Sequence, residues 1–194
     1  MESIIFATNN QHKIEELQSA IGDQITLITL RQAGIDIDIP EPHPTLEQNA
    51  SEKSSVIRGI TGMDCFSEDT GLEVNALGGE PGVLSARYAG DEKSFEKNID
   101  KLLANLSGKS DRSAQFRTVI SLLWKGKEYF FEGICAGFIT TSRHGRNGFG
   151  YDPVFCPIGS KRTFAEMDLE EKSRVSHRKK AADKLIHFLK NQQS

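Results

Sequence analysis

The run "AQFRTVISLLWKGKEYFFEGICAGFITT", residues 114–141, constrains the fold more than any other part of this chain. It is long, rich in β-branched and aromatic residues, and interrupted near its middle by the glycine of "KGK". Such a run predicts two long strands joined by a tight turn, that is, a β-hairpin. Elsewhere, short apolar strands alternate with amphipathic helices, as where "SIIFAT" precedes "NNQHKIEELQSAIG". The combination predicts an α/β fold with a mixed sheet.

Helix ends can be predicted from capping residues and from the spacing of apolar side chains. Asn9 or Asn10 can cap the first helix, which Gly22 would end, and Thr45 can cap the second. "MDCFS" and "LEVNAL" predict two strands on either side of an acidic turn. Thr163 and Glu166 have capping-box spacing, and Ser176 would cap the last helix. Four predicted helices each have an apolar face. In chain order, these faces are Ile14, Leu17 and Ile21; Leu46, Ala50, Ile57 and Ile60; Phe95, Ile99, Leu102, Leu103 and Leu106; and Ala181, Leu185, Phe188 and Leu189.

Length and charge exclude several classes of protein. A chain of 194 residues suits one domain, with or without two lobes, and the net charge of −3 offers no global basic field for nucleic acid. The N-terminus carries an acid in place of a basic signal-peptide region, and no apolar run approaches the ~20 residues that span a bilayer. Cys65, Cys135 and Cys156 are odd in number and widely spaced, so they predict reduced core thiols of a cytoplasmic protein.

The segment "ATNNQHK", residues 7–13, follows the first strand and is rich in hydrogen-bond donors. Free backbone N–H groups and the helix dipole suit such a position to an anion. Thr8, Asn9 and Asn10 would add side-chain donors, and the Lys13 ammonium could reach a phosphate. A capped helix with a solvated lysine is the commoner explanation of such a segment taken alone.

Two acidic segments predict a metal site. Glu41 lies between Pro40 and Pro42, and Glu68 and Asp69 are adjacent in "SEDTG". Unpaired carboxylates are costly to bury, whereas Mg²⁺ binds oxygen and usually takes one or two carboxylates. Glu41 and Asp69 would supply these, and a carboxylate beside the metal could deprotonate an attacking water. Two unrelated acidic turns remain the alternative.

Two glycine-rich segments carry candidate binding residues. In "GFGYDP" the ring of Phe149 lies between glycines, where it could stack on a base, and the Asp152 carboxylate could accept hydrogen bonds from that base. The stretch "GGEPGVLSARYAG" contains Arg87, which could clamp an acid or a phosphate. The alternative for "GFGYDP" is a turn with a core aromatic. The alternative for the stretch that contains Arg87 is a glycine-rich crossover.

Further cations could face the same cleft. Lys53 lies one or two turns into the second helix, and Lys172, His177 and Arg178 lie around the start of the last helix. Cations at a helix N-terminus oppose its dipole, so a bound anion or polar ligand there would relieve the conflict. Solvated basic side chains are the usual alternative.

Five segments in this order resemble the inosine triphosphate pyrophosphatase family, also called the Ham1 family: "FATNNQHKIEEL", "EDTGLEVNALGGEPGVLSARYAG", "GFGYDPVF", "FAEM" and "EKSRVSHRKKA". The resemblance covers nearly the whole chain and is specific in combination. It implies a single domain, residues 1–194, in which an elongated mixed sheet and flanking helices form two lobes around a nucleotide cleft, and it implies a homodimer. The implied activity is Mg²⁺-dependent hydrolysis of ITP, dITP and XTP to the monophosphate and pyrophosphate, which would keep these nucleotides out of DNA and RNA.

The matching motifs imply a role for each site residue. Asp69 would be the catalytic proton acceptor, and Glu41 and Asp69 would hold Mg²⁺, with Glu68 as a further candidate ligand. Phe149 would stack on the purine, and Lys172, His177 and Arg178 would close over it and meet its 6-oxo group. The implied substrate-binding set is Thr8, Asn9, Asn10, Gln11, His12, Lys13, Lys53, Thr70, Arg87, Phe149, Gly150, Tyr151, Asp152, Lys172, His177 and Arg178.

The chain departs from the family pattern in three places. "EPH" replaces the usual Glu-Thr-Gly around Glu41, Gln48 replaces a glutamate, and "SEDTG" replaces Asp-Asp-Ser-Gly. None removes a residue assigned to catalysis. The alternatives are a Maf-like pyrophosphatase acting on pyrimidine or modified nucleotides, a nucleic-acid-binding module using "RHGRNG" and "SHRKK", and a non-catalytic nucleotide sensor.

Overall fold

A computed structural model describes residues 3–21 and 25–192 as a mixed α/β fold. Within these described ranges, three 3₁₀ turns accompany the helices and strands, at Asn75–Leu77, Ser85–Arg87 and Phe164–Glu166. Among the described residues, no helix combines the length and the apolarity needed to cross a membrane. The strands are β1 Ser3–Phe6, β2 Thr26–Thr29, β3 Cys65–Val74, β4 Pro81–Gly82, β5 Ser113–Trp124, β6 Lys127–Ile139 and β7 Phe155–Pro157; the helices are α1 Gln11–Ile21, α2 Leu46–Thr61, α3 Phe95–Asn105, α4 Leu169–Val175 and α5 His177–Asn191.

The sheet is mixed, as the sequence predicts. Its strand order is β2-β1-β3-β5-β6-β7, and β4 pairs with β3. Strand β1 is parallel to both β2 and β3, whereas β4 is antiparallel to β3 and β7 is antiparallel to β6. Lys125 and Gly126 join β5 to β6, and both have a positive φ, as the turn of a tight hairpin requires. The predicted hairpin is therefore confirmed.

The predicted acidic turn is wrong. Strand β3 runs without interruption through Glu68, Asp69 and Gly71. Gly71 serves strand pairing instead of a turn, because a Cβ atom there would lie 2.7 Å from the carbonyl oxygen of Gly82 on β4. The two acids are tolerated inside a buried strand because each contacts cationic side chains, and successive side chains of a strand point to opposite faces.

The described chain divides into two compact units, with boundaries inside β3, β5 and β6 and between α4 and α5. Unit 1 comprises the described residues within 1–69, 118–133 and 177–194. Its larger core packs α1 and α5 through residues such as Leu17 and Leu185 against the ring pair of Phe6 and Phe66. Gly133 lets α5 approach β6 closely, since a Cβ atom there would lie 2.0 Å from the carbonyl oxygen of His177.

Unit 2 comprises residues 70–117 and 134–176. Its core joins α3, through Ile99 and Leu102, to a cluster of aromatic rings. Phe155 lies at the centre of that cluster, with ring centroids 4.7 Å from Phe116 and 5.1 Å from Phe164. The core therefore supports the loop that carries Tyr151 and Asp152, both of which are buried.

Most predicted caps are confirmed. The Thr45 side chain accepts a hydrogen bond from the backbone N–H of Gln48, and Thr163 with Glu166 forms the predicted capping box, although on a 3₁₀ turn. The predicted stop at Gly22 lies outside the described residues. Ile60, predicted on the buried face of α2, is 55 % exposed. The three cysteines are free and buried, which confirms the predicted core thiols.

Candidate active site

The segment that precedes α1 acts first as a helix cap. The backbone N–H of Lys13 donates to Asn10 Oδ1 at 3.2 Å, and the backbone N–H of Asn10 donates to Thr8 Oγ1 at 3.2 Å. The side-chain amide of Asn9 donates to the carbonyl oxygen of Ile37. Gln11 and His12 are exposed. The capping explanation is thus correct for this segment, and its predicted contact with phosphate stays a prediction.

The central feature of unit 1 is a lysine shared by two carboxylates. Lys53 Nζ lies 2.5 Å from Glu41 Oε1 and 3.5 Å from Asp69 Oδ1. Asn49, one helical turn before Lys53 on α2, donates from Nδ2 to Asp69 Oδ2 at 3.2 Å. The i, i+4 spacing places both side chains on the buried face of α2. The structure therefore brings together Glu41, Lys53 and Asp69, which are distant in sequence.

Burial and the neighbouring charges together determine the protonation of Asp69 and Lys53. Burial raises the pKa of Asp69, and repulsion from Glu41 adds to that effect, while Lys53, Lys13 and the hydrogen bond from Asn49 oppose it. Burial alone would lower the pKa of Lys53, but attraction to Asp69 and Glu41 outweighs it, so that pKa is raised. Asp69 is thus a carboxylate with increased proton affinity beside an ammonium that stays charged.

A second network in unit 1 surrounds Arg178, which is 2 % exposed. Its Nε donates to both oxygens of Glu68, at 3.0 and 2.9 Å, and its Nη1 pairs with Glu16. Lys13 Nζ lies 3.3 Å from Glu68 Oε1. Burial would raise the pKa of Glu68, but Arg178 and Lys13 lower it to about 2.

This network changes the interpretation of the basic start of α5. The anion that offsets the unfavourable position of Arg178 is supplied by the carboxylates of Glu68 and Glu16, not by a ligand. Both Glu68 oxygens accept from Arg178, so neither the metal role of Glu68 nor the purine contact of Arg178 gains support from this geometry. Both stay predictions. His177, at the first position of α5, is buried.

In unit 2 the loop between Gly148 and Asp152 positions an aromatic ring beside a buried ion pair. Asp152 Oδ2 accepts from the backbone N–H of Phe149 at 2.9 Å and from Lys172 Nζ at 2.6 Å. The same Nζ lies 5.2 Å from the centre of the Phe149 ring. Phe149 is half-buried, so the ring is not sealed in the core. Gly148 has a φ of +75°, and a Cβ atom there would lie 2.0 Å from Asp152 Oδ2.

Other predicted residues of unit 2 have more ordinary positions. Tyr151 is buried, and its hydroxyl donates to the carbonyl oxygen of Ser85 at 2.9 Å. Thr70 and Arg87 are half-buried. Gly150 has a φ of +62°, which suits the turn after Phe149.

Sequence reasoning missed three residues that belong to these clusters. Asn49 holds Asp69, and its position four residues before Lys53 was an available signal. Glu16 holds Arg178, and no local pattern indicates a partner 162 residues away. The ring centroid of Phe95 lies 6.1 Å from that of Phe149, and no sequence signal links the two.

The donor set fits Mg²⁺. The described residues contain no group of three or more histidines, cysteines and acids arranged to hold a metal. Mg²⁺ needs no such group, since it usually binds through one or two carboxylates together with water and substrate phosphates. Glu41 and Asp69 provide two carboxylates at one position, which satisfies that requirement.

Comparison with known proteins identifies the family. The sequence model of the Ham1 family matches residues 4–188. The chain belongs to the Ham1 family. Among Ham1-type relatives, the dITP/XTP pyrophosphatase of Flavobacterium johnsoniae is 49 % identical over 186 residues, which cover 96 % of this chain and 97 % of that protein.

Solved structures of Ham1 proteins have the same fold. The Ham1 protein of Staphylococcus aureus is 40 % identical, with a TM-score of 0.88 over 98 % of this chain and 99 % of that one. The HAM1 protein of Coxiella burnetii is 36 % identical, with a TM-score of 0.89 over 98 % and 100 % of the two chains. These matches confirm the fold class and the family predicted from the sequence motifs.

Proposed function

We propose that the chain is a nucleoside triphosphate pyrophosphatase that hydrolyses the non-standard purine nucleotides ITP, dITP and XTP to the monophosphate and pyrophosphate. Family membership supports this activity, because a relative with 49 % identity is named a dITP/XTP pyrophosphatase. The observation within the molecule that carries it is the cluster in which the half-buried Glu41 and the buried Asp69 share the Lys53 ammonium. Carboxylates for a metal, placed beside lysines for phosphates, are the components that phosphoryl transfer requires.

The chemical step uses the residues of unit 1. Glu41 and Asp69 hold Mg²⁺, which when bound neutralises phosphate charge. Asp69 takes a proton from the attacking water. The water oxygen forms a bond to the α-phosphorus while the bond from that phosphorus to the bridging oxygen breaks. The bridging oxygen keeps the bonding electrons and leaves as part of pyrophosphate, whose charge Lys13 and Lys53 offset.

The base is assigned to the residues of unit 2. Phe149 stacks on the purine, and the contacts of Asp152 with the Phe149 N–H and with Lys172 hold the carboxylate in a defined position beside the ring. Donors such as Lys172 suit a 6-oxo acceptor and leave the 6-amino group of adenine without a partner. A site built to pair a polar substrate group can reject a mismatch by several orders of magnitude.

The decisive experiment measures pyrophosphate release from ITP, dITP, XTP, GTP, ATP and pyrimidine triphosphates, with Mg²⁺ and with EDTA. We expect turnover of ITP, dITP and XTP, only with Mg²⁺, and no turnover of ATP, whose 6-amino group lacks a partner. GTP shares the 6-oxo group, so its turnover does not test this contact. Asp69→Asn should lower kcat by about 10²- to 10⁴-fold, because the proton acceptor is lost. Glu52→Gln, the same type of change at an exposed position of α2, should leave kcat unchanged. Equal turnover of Asp69→Asn and wild type would contradict the assignment, and a preference for pyrimidine nucleotides would indicate the Maf-like alternative.

A second experiment tests the base site. Phe149→Ala should raise KM for ITP by about tenfold, since stacking of a base on an aromatic side chain contributes ~1–3 kcal/mol. Phe130→Ala removes a ring that is 48 % exposed in unit 1 and should leave KM unchanged. If Phe149→Ala lowers only thermal stability, the ring serves the core and not the substrate.

Family resemblance also supports a homodimer that acts in the cytoplasm, and we include both in the proposal. Analytical sedimentation at micromolar concentration tests whether the chain is a homodimer, and a monomer would contradict that part of the proposal. Localisation of the tagged full chain in its own cells tests whether it acts in the cytoplasm.

A further inference from the structure

The Lys53 ammonium occupies the position where the two proposed metal ligands meet. Its nitrogen lies 2.5 Å from Glu41 Oε1 and 3.5 Å from Asp69 Oδ1, and its side chain is only 9 % exposed. The second oxygen of Asp69 accepts a hydrogen bond from Asn49. We propose that Lys53 is an internal counter-ion that competes with the divalent cation for Glu41 and Asp69, so that metal binding releases its ammonium for the substrate phosphates. This inference rests on the proposed function.

Charge and burial explain why a cation is needed between these carboxylates. Two carboxylates that face one position repel each other, and the burial of Asp69 increases the cost of ionising both. A lysine that reaches them through the buried face of α2 offsets that repulsion.

The same contacts imply competition. A divalent ion bound by both side chains would use the oxygens that Lys53 contacts, and two cations on the same oxygens repel each other. Lys53 therefore lowers the affinity for a free divalent ion. A phosphate provides the alternative partner for the released ammonium, so metal and triphosphate binding would support each other through Lys53.

The test is calorimetric titration of the full chain with Mn²⁺, without nucleotide, at about pH 8, well above the pKa of a solvated carboxyl group. Lys53→Met keeps the length and apolar stem but removes the charge. We expect it to lower Kd for Mn²⁺ by about tenfold or more, because the repulsion between two cations on the same carboxylates exceeds the free energy of a tenfold change in Kd. Lys53→Arg retains the charge and should bind Mn²⁺ no more tightly than the wild type. An unchanged or higher Kd for Lys53→Met would overturn the proposal.

A second measurement uses the wild-type chain and does not depend on a variant that folds. Acetic anhydride labels accessible amines, and mass spectrometry gives the rate at each lysine. Addition of Mn²⁺ should raise the labelling rate of Lys53, whereas the rate of Lys179, a partly exposed lysine of α5 paired with Asp183, should not change. Equal rates at Lys53 with and without Mn²⁺ would also overturn the proposal.

Two further variants separate this inference from the proposed function. Glu41→Gln and Asp69→Asn should each abolish Mn²⁺ binding. If both variants abolish Mn²⁺ binding while Lys53→Met binds Mn²⁺ no more tightly than the wild type, only the proposed competition by Lys53 is wrong. If they leave Kd unchanged, the assigned metal site is wrong, and with it the role of Lys53.

Discussion

Replacing Arg178 by methionine tests how far the fold of unit 1 depends on one buried cation. Arg178 is 2 % exposed and pairs with Glu68 and Glu16. Methionine approximates the length of the arginine stem but leaves both carboxylates without the guanidinium. Breaking a buried ion pair by removing one partner costs about 3–5 kcal/mol, because the remaining charge stays desolvated. We expect the free energy of unfolding to fall by that amount at neutral pH.

The pKa of Glu68 gives an independent magnitude. It is lowered from 4.5 to about 2 by Arg178 and Lys13, in spite of burial. Such a shift corresponds to about 3 kcal/mol of stabilisation that the ionised carboxylate contributes. Because the folded-state pKa is the lower one, this contribution is present above pH 4.5 and is lost as the pH falls from 4.5 towards 2. The difference in the free energy of unfolding between wild type and Arg178→Met should therefore become smaller as the pH falls over that range.

The assay is equilibrium unfolding in urea, followed by circular dichroism at about pH 7.5 and again at about pH 3. Lys179→Met is the matched control, since Lys179 is the next residue on α5 and forms only a partly exposed i, i+4 pair with Asp183. That change should cost less than about 0.5 kcal/mol. A loss below about 1 kcal/mol for Arg178→Met, or a loss of equal size at both pH values, would refute the reasoning.

Three other changes probe close contacts and buried groups. Gly148→Ala should raise KM for ITP more than it lowers kcat, because the new Cβ atom displaces Asp152 Oδ2, and steady-state kinetics at varied ITP would show this. Gly133→Ala should lower the free energy of unfolding by about 1–3 kcal/mol, since its Cβ atom meets the backbone of His177, and urea titration measures the change. Burial raises the pKa of Cys65 to about 11, so a thiol reagent should label this residue only after denaturation; rapid labelling of the native chain would contradict its burial.

Local elements of the fold could be predicted because their causes are local. The turn at Lys125 and Gly126, the cap at Thr45 and the apolar spacing of α3 each depend on residues within a few positions of one another. The same holds for the capping box of Thr163 and Glu166. Ile60 was misassigned because the buried stripe of α2 ends at Ile57, and only the packing of neighbouring elements determines where such a stripe ends.

The acidic segment shows the opposite case. Adjacent acids and a glycine are typical of a turn, since an unpaired buried carboxylate is costly. In the structure Glu68 pairs with Arg178, which is 110 residues further along the chain, and that partner makes a buried strand acceptable. A pattern read over a few residues cannot include a compensating charge that arrives from another helix.

For the site, the sequence by itself determined which residue types are present, in which motifs, and hence the family and its chemistry. Only the tertiary structure decided the pairings: that Lys53 joins Glu41 to Asp69, and that Arg178 binds Glu68. The physical reason is that electrostatic interactions depend on separation and burial in space, and neither quantity is a function of distance along the chain.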